Sequence, residues 1–225
     1  MKTDEQIRKD VIEEIRWDPQ ISDIAPHIGV SVDNGVVTLS GTVEFYTQKL
    51  AAEKAAQRVS GVKVVAVDIE LKGQNKDVTD AQLGEAIRNA LAWHSAVNED
   101  RLEIKVDNGW VYLSGTVKWD YERKAAERSI EKIIGVKGII NRVKVENEIV
   151  EPKHIKRKIS EAFHRHASVD VENITVDVNG STVTLRGKVS SWAEREDAED
   201  VAWAMPGVTE VANNLVIDTS IYAEH

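Results

Sequence analysis

The feature that most constrains this chain is a motif that recurs three times in register. Leu39-Ser40-Gly41-Thr42-Val43 returns as Leu113-Ser114-Gly115-Thr116-Val117 and, more loosely, as Leu185-Arg186-Gly187-Lys188-Val189. In each copy the glycine is followed 20 residues later by a second one that opens a Gly-Val pair: Gly61-Val62, Gly135-Val136 and Gly207-Val208. The copies lie 74 and 72 residues apart. A period this long exceeds that of a solenoid, whose short repeats borrow a core from their neighbours, and predicts a string of small domains. The boundaries expected from the spacing are 1–74, 75–149 and 150–225, joined by short linkers around Lys72 to Val78 and Asn147 to Pro152.

Each copy reads as α-β-β-α-β. Thr3-Asp4-Glu5-Gln6 and Thr79-Asp80-Ala81-Gln82 fit capping boxes, and Pro152 suits a first helical turn. Apolar residues follow at helical spacing: Ile7, Val11, Ile15; Leu83, Ile87, Leu91; Ile155, Ile159, Phe163. Alternating strands then flank Asp33-Asn34-Gly35 and Asp107-Asn108-Gly109, which suit tight hairpins. The third copy, Asn179-Gly180-Ser181, reads as carrying one extra residue before its strand. Leu39, Leu113 and Leu185 fall on the inward face.

Gly41, Gly115 and Gly187 share that face and are expected to let a helix approach the sheet. The second helix places Ala52, Ala56 and Val59 inward, then Ala126, Ile130 and Ile133, then Ala198, Ala202 and Met205. Gly61, Gly135 and Gly207 are expected to stop it. Only one sheet face is consistently apolar, so both helices cover that face. The predicted class is α+β: three tandem domains, each a three-stranded mixed sheet with two helices on one side.

The chain has 29 basic and 38 acidic residues, and no third of it is net basic, which argues against a nucleic-acid footprint. It lacks cysteine, so disulfides and thiolate metal sites are excluded. No apolar run approaches ~18 residues, so no transmembrane helix is expected. Nor does an apolar signal core precede the first helix. The expected compartment is cytoplasmic, or periplasmic if an export signal has been removed.

Neither a Ser-His-Asp order nor a phosphate-cradling loop is visible, and the glycines are accounted for by turns. His154, His164 and His166 show no i, i+4 pairing suited to zinc. No catalytic residue, metal or cofactor is expected.

Two surfaces stand out. The outward face of the second sheet carries Trp110 and Tyr112, with Ile140 beside them. They predict contact with another domain of the chain or with an external partner. Lys153, Lys156, Arg157 and Lys158 concentrate positive charge on the first helix of the third repeat, either as a contact for an anionic lipid surface or as a solvated face paired with nearby acids. Aromatics also mark the domain edges: Phe45, Tyr46, Trp119, Tyr121 and Trp192 in loops, and Trp17 and Trp93 closing first helices, where they are expected to be partly buried lids.

The element order, the hairpin pattern N-G-x-V-x-L-x-G-x-V, the Gly-Val after the second helix and the final strand Val211-Ala212-Asn213-Asn214-Leu215 resemble the BON domain, named for bacterial osmotically inducible and nodulation proteins. The resemblance spans nearly the whole chain. It implies a non-enzymatic binding protein associated with phospholipid or envelope components under osmotic stress. Typical members are exported and carry two copies, whereas this chain has three and no visible export signal. Two alternatives stand beside it: a cytoplasmic scaffold that binds a protein partner or itself through the outward face of the second sheet, and, as the resemblance to the wider family implies, a potassium-binding sensor.

Overall fold

The computed structural model describes residues 2–72, 78–146, 150–165 and 173–218. Within it the element order repeats three times. The first repeat contains α1 (Asp4–Trp17), β1 (Ile28–Asp33), β2 (Val36–Val43), α2 (Tyr46–Gln57) and β3 (Val64–Leu71). The second contains α3 (Asp80–Ala92), β4 (Leu102–Asp107), β5 (Trp110–Val117), α4 (Asp120–Ile130), β6 (Gly138–Asn141) and β7 (Lys144–Val145). The third contains α5 (Pro152–Phe163), β8 (Ile174–Asn179), β9 (Thr182–Val189), α6 (Trp192–Trp203) and β10 (Glu210–Ile217). By compactness the chain divides into two units, Met1–Gly41 with Ala51–Asp68 and Asn147–His225, and Thr42–Leu50 with Ile69–Glu146. Linker residues 73–77 and 147–149, and His166, lie outside the described residues.

Each sheet is mixed. β1 pairs antiparallel with β2, β4 with β5 and β8 with β9, and the last strand joins the other side of the central one. β10 runs parallel to β9, and β6 and β7 run parallel to β5 as two pieces of one strand position. In the first repeat Lys63 N–H donates to Gly35 and Lys72 N–H to Val43, so β3 ascends in the same direction as β2. The inward phase of the central strands is the expected one: Val37, Leu39, Val43 and their counterparts in β5 and β9 are buried. The apolar stripes of α1, α3 and α5 are buried with them.

The capping boxes of Thr3 with Gln6 and Thr79 with Gln82 are both closed. A second device, unread in the sequence, starts the second helices. Gln48 accepts from the N–H groups of Glu44 and Phe45, Glu122 from Lys118 and Trp119, and Glu194 from Ser190. These side chains satisfy donors that would otherwise be lost where strand turns into helix.

The hairpins correct one expectation. All three turns have two central residues, and the third is Gly180-Ser181, with Asn179 still paired to Thr182 in the ladder. Asn34-Gly35 and Asn108-Gly109 have positive φ at both positions, whereas in the third turn Gly180 alone does. That change moves the glycine to the first central position, as a type II′ turn requires, without lengthening the loop.

The first two turns are clamped from the helix side. The Asp4 carboxylate accepts from the N–H groups of Asn34 and Gly35 at 2.8 and 3.0 Å, and Asp80 from Asn108 and Gly109 at 2.8 and 2.9 Å. The third repeat has Pro152 at this first helical position and cannot do so. Asp80→Ala is therefore expected to cost ~1–3 kcal/mol and to speed amide exchange at Asn108 and Gly109. Unchanged exchange there would show that the turn is self-sufficient.

The roles expected of the motif glycines are corrected too. Gly41, Gly115 and Gly187 do not serve helix approach. Their φ values are +119°, +119° and +131°, and a Cβ on each would overlap the backbone carbonyl oxygen of His27, Arg101 and Asn173 respectively, on the segment entering the neighbouring strand. Gly61, Gly135 and Gly207 do not stop the helices, which end earlier, at Gln57, Ile130 and Trp203. They turn the chain afterwards with φ of +101°, +103° and +87°. Val59, Ile133 and Met205 accordingly lie past the helices. Val59 is buried, but Ile133 and Met205 are only half-buried.

Candidate functional site

The third repeat presents the basic helix. Lys153, Lys156, Arg157 and Lys158 on α5 are all exposed, because Ile155, Ile159, Ala162 and Phe163 take the inward positions. Two of the cations have loose partners: Lys156 reaches Asp177 on β8 at 3.7 Å and Arg157 reaches Glu161 at 3.8 Å. Arg157 also lies 3.5 Å from the His154 ring. Among the described residues, neither of these partners comes from the acidic helix α6. Exposed pairs of this length bind their charges weakly, so the face stays available to an anion.

In the second repeat Trp110, Tyr112 and Ile140 share the sheet face opposite the helices, with Tyr112 paired to Ile140 and Trp110 to Gly138. Trp110 is 45 % exposed, and Tyr112 and Ile140 are half-buried. A Cβ built on Gly138 would lie 2.6 Å from Cε3 and 2.8 Å from Cη2 of Trp110, with Cζ3 nearer still. Such nearly equal distances mean that the ring lies face-on over the glycine. The indole is therefore spread flat on its own sheet with its other face turned outward. Lys105 sits 5.5 Å over the Tyr112 ring.

Trp17 and Trp93 are 83 % and 90 % exposed, which overturns their expected role as lids. The inward stripe steps by four through Ile7, Val11 and Ile15. A residue two beyond Ile15 is rotated by about 200° and points away. Leu83, Ile87 and Leu91 turn Trp93 outward in the same way. Of the five aromatics expected in loops, Tyr46, Tyr121 and Trp192 lie instead in the first turns of α2, α4 and α6; Phe45 and Tyr121 are exposed, and Tyr46, Trp119 and Trp192 are half-buried, with Arg195 packed 5.3 Å over the Trp192 ring.

Among the described residues two carboxylates are shifted from their ordinary range. Burial, reinforced by Asp200, Glu199 and Asp197, pushes Glu196 on α6 up against the opposing pull of Lys54. A hydrogen bond from Arg8, with its charge, holds Glu5 down. Both are ordinary surface electrostatics. Among the described residues no group of three or more His, Asp or Glu side chains could hold a metal, and no helix is long and apolar enough to cross a membrane.

A feature missed in the sequence ties the last strand to the second helix. Asn213 donates to the Arg195 carbonyl and the Glu199 carboxylate while accepting from Leu215 N–H. Asn141 does the same with Arg123, Glu127 and Val143 N–H. A single side chain thus crosslinks helix and strand and caps an edge N–H.

With this geometry in place, the comparisons with known proteins fall into line. A family model described as BON domain matches residues 3–73, 79–147 and 153–219. The chain belongs to the BON domain family. It is 30% identical to Osmotically-inducible protein Y of Escherichia coli (strain K12) over 122 residues, 52% of this chain and 61% of that protein. It is 28% identical over 124 residues to an uncharacterized protein in the gshII 5' region of Anaplasma centrale, covering 53% of this chain and 82% of that protein. The match therefore spans about three fifths of the length of the first relative. Among solved structures, the C-terminal domain of CdsD, a structural protein of the Type III secretion system of Chlamydia trachomatis, aligns over 93% of this chain and 96% of its own with a TM-score of 0.27 and 13% identity, too low to argue from.

The BON repeats are not equivalent. The asparagine of the final strand is present in the second and third, whereas the first has Val67 in its place. There Lys49 on α2 reaches the Ile69 carbonyl directly at 2.9 Å. The basic helix belongs to the third repeat alone, and the flat tryptophan to the second.

Proposed function

We propose that this BON protein is a non-enzymatic tandem binding module acting in osmotic stress by peripheral association with anionic phospholipid or an envelope component. The observation that carries the reading is the exposed α5 face, with Lys153, Lys156, Arg157 and Lys158 in an otherwise acidic chain of net charge −9. Each cation held near an anionic leaflet contributes about 1 kcal/mol, so four give useful affinity only in combination with each other or with further contacts from the same chain. The similarity to Osmotically-inducible protein Y supports the stress context.

The test is co-sedimentation of the full chain with phosphatidylglycerol vesicles at low salt, against phosphatidylcholine vesicles. Replacing Lys153, Lys156, Arg157 and Lys158 with Gln is expected to abolish sedimentation and leave the circular dichroism spectrum unchanged. Sedimentation should also fall as salt rises, because exposed charges are screened within about 10 Å at 0.1 M. A wild-type chain that stays in the supernatant at low salt would end the lipid reading.

The second reading is a protein-interaction scaffold using the second sheet. The flat, outward-facing Trp110 ring favours it. Trp110→Ala with Tyr112→Ala should then weaken partner binding while sparing vesicle binding.

A further inference from the structure

We propose that the free edge of β3, in the first repeat, is a strand-addition site for an extended basic segment of a partner polypeptide. β3 is the end strand of its sheet. The bond from Lys72 N–H to Val43 O at 2.7 Å directs the even-numbered residues of β3 toward β2. The backbone groups of Val65 and Val67 then point out of the sheet, as does the Ile69 carbonyl that Lys49 reaches. An end strand of this kind is a template for another chain unless it is blocked.

The other two repeats block theirs. In β10 the outward Leu215 N–H is taken by the Asn213 side chain at 3.2 Å, and the outward Asn213 carbonyl by Arg195 at 2.9 Å. In the second repeat Asn141 takes Val143 N–H at 3.1 Å, and the strand breaks into β6 and β7. Among the described residues β3 has neither the asparagine nor the break, and of its outward groups only the Ile69 carbonyl is taken, by Lys49. The strand runs unbroken for 8 residues with Val67 where the others have asparagine. Glu53, the counterpart of the carboxylates that hold Asn141 and Asn213, is still in place on α2.

Space and charge select the occupant. A cavity of about 580 Å³ borders the start of the edge, lined by the apolar Val64, Val65, Trp192, Val216 and Ile217 with polar side chains that include Glu53. Successive side chains of a strand point to opposite faces, so a cavity lined by both Val64 and Val65 meets the edge itself. This end accepts apolar side chains. Further along, Asp68 and Glu70 are exposed on one face, and among the described residues neither forms an ion pair. Lysine or arginine at alternate positions of an added strand would pair with them. A second copy of β3 would bring the same acids, so the occupant is a different, basic segment that reads the edge through backbone bonds and the acids through charge. The surface is separate from α5, so this proposal stands or falls independently of lipid binding.

The test uses the full chain and a fluorescein-labelled peptide of alternating valine and lysine, with glutamate in place of lysine as control. The lysine peptide should bind by fluorescence anisotropy, slow amide exchange at Val65 and Val67, and leave β4 and β8 unchanged; the glutamate peptide should not bind. Val67→Asn installs the latch of the other repeats and should cost about tenfold or more in affinity without lowering the melting temperature. Val67→Pro removes only an outward N–H, which an edge strand tolerates, and should act likewise. Undiminished binding to both variants, protection elsewhere than β3, or no binding by the wild type would overturn the proposal.

Discussion

Gly115→Ala is expected to unfold the second repeat while leaving the first and third folded. The new methyl group would overlap the Arg101 carbonyl oxygen, far inside the 3.0 Å that real Cβ contacts respect, and φ of +119° is itself unfavourable for alanine. The obstacle is backbone at the start of β4, so no side-chain rotation relieves it. β4 and β5 would have to separate, and with them the ladder that carries the buried Leu113. Backbone strain alone accounts for about 1–3 kcal/mol, and the lost pairing adds to it in a domain too small to have much in reserve. Hydrogen exchange read by mass spectrometry on the full chain should show protection lost across 102–117 and kept in β1, β2, β8 and β9. Gly84→Ala is the control. It lies inside α3 with ordinary φ and Val106 Cγ2 at 3.9 Å, so it should stabilise by about 0.5–1 kcal/mol. A Gly115→Ala chain as stable as the wild type would refute this account of the motif.

The second large effect is expected from Leu113→Ala. Leu113 is fully buried at the centre of β5, as are Leu39 and Leu185 in their own sheets. Truncation there removes apolar contact and leaves a cavity, together worth ~2–5 kcal/mol, against a whole-domain stability of about 5–15 kcal/mol. Three repeats in one chain do not guarantee a single cooperative transition, so the measurement is a denaturant melt followed by repeat-resolved exchange. An earlier transition confined to the second repeat is the expected result. Equal losses in all three repeats would show that they unfold as one body.

Much of the fold was legible because its signals are local. Capping boxes, helical stripes, hairpin turns and period-two alternation each involve residues within a few positions of one another, and threefold recurrence sets each copy beside two others. The third turn slipped through because Asn179-Gly180 matches Asn34-Gly35 as letters while standing one position earlier in the ladder. Trp17 and Trp93 mislead because they stand two residues beyond Ile15 and Leu91, whereas an inward stripe steps by three or four. The candidate surfaces were legible only as composition: four cations on α5 and two aromatics on β5 could be counted. Which of their neighbours quench them depends on Asp177 and Gly138, brought from other elements, as well as on Glu161 one turn along α5.

What the sequence alone determined is the number of repeats, the order of their elements and which side chains face inward, since periodicity and turn chemistry act over a few residues. Tertiary structure decided what the motif residues are for. Gly115 is excluded from having a side chain by the carbonyl of Arg101, 14 residues away in sequence, and Asn213 joins a strand to a helix begun some 20 residues earlier. Among the described residues no side chain takes the outward N–H groups of β3, because Val67 offers no counterpart to that link. Such relations are distances between backbones that meet only after the sheet has formed, and a one-dimensional pattern carries no measure of them.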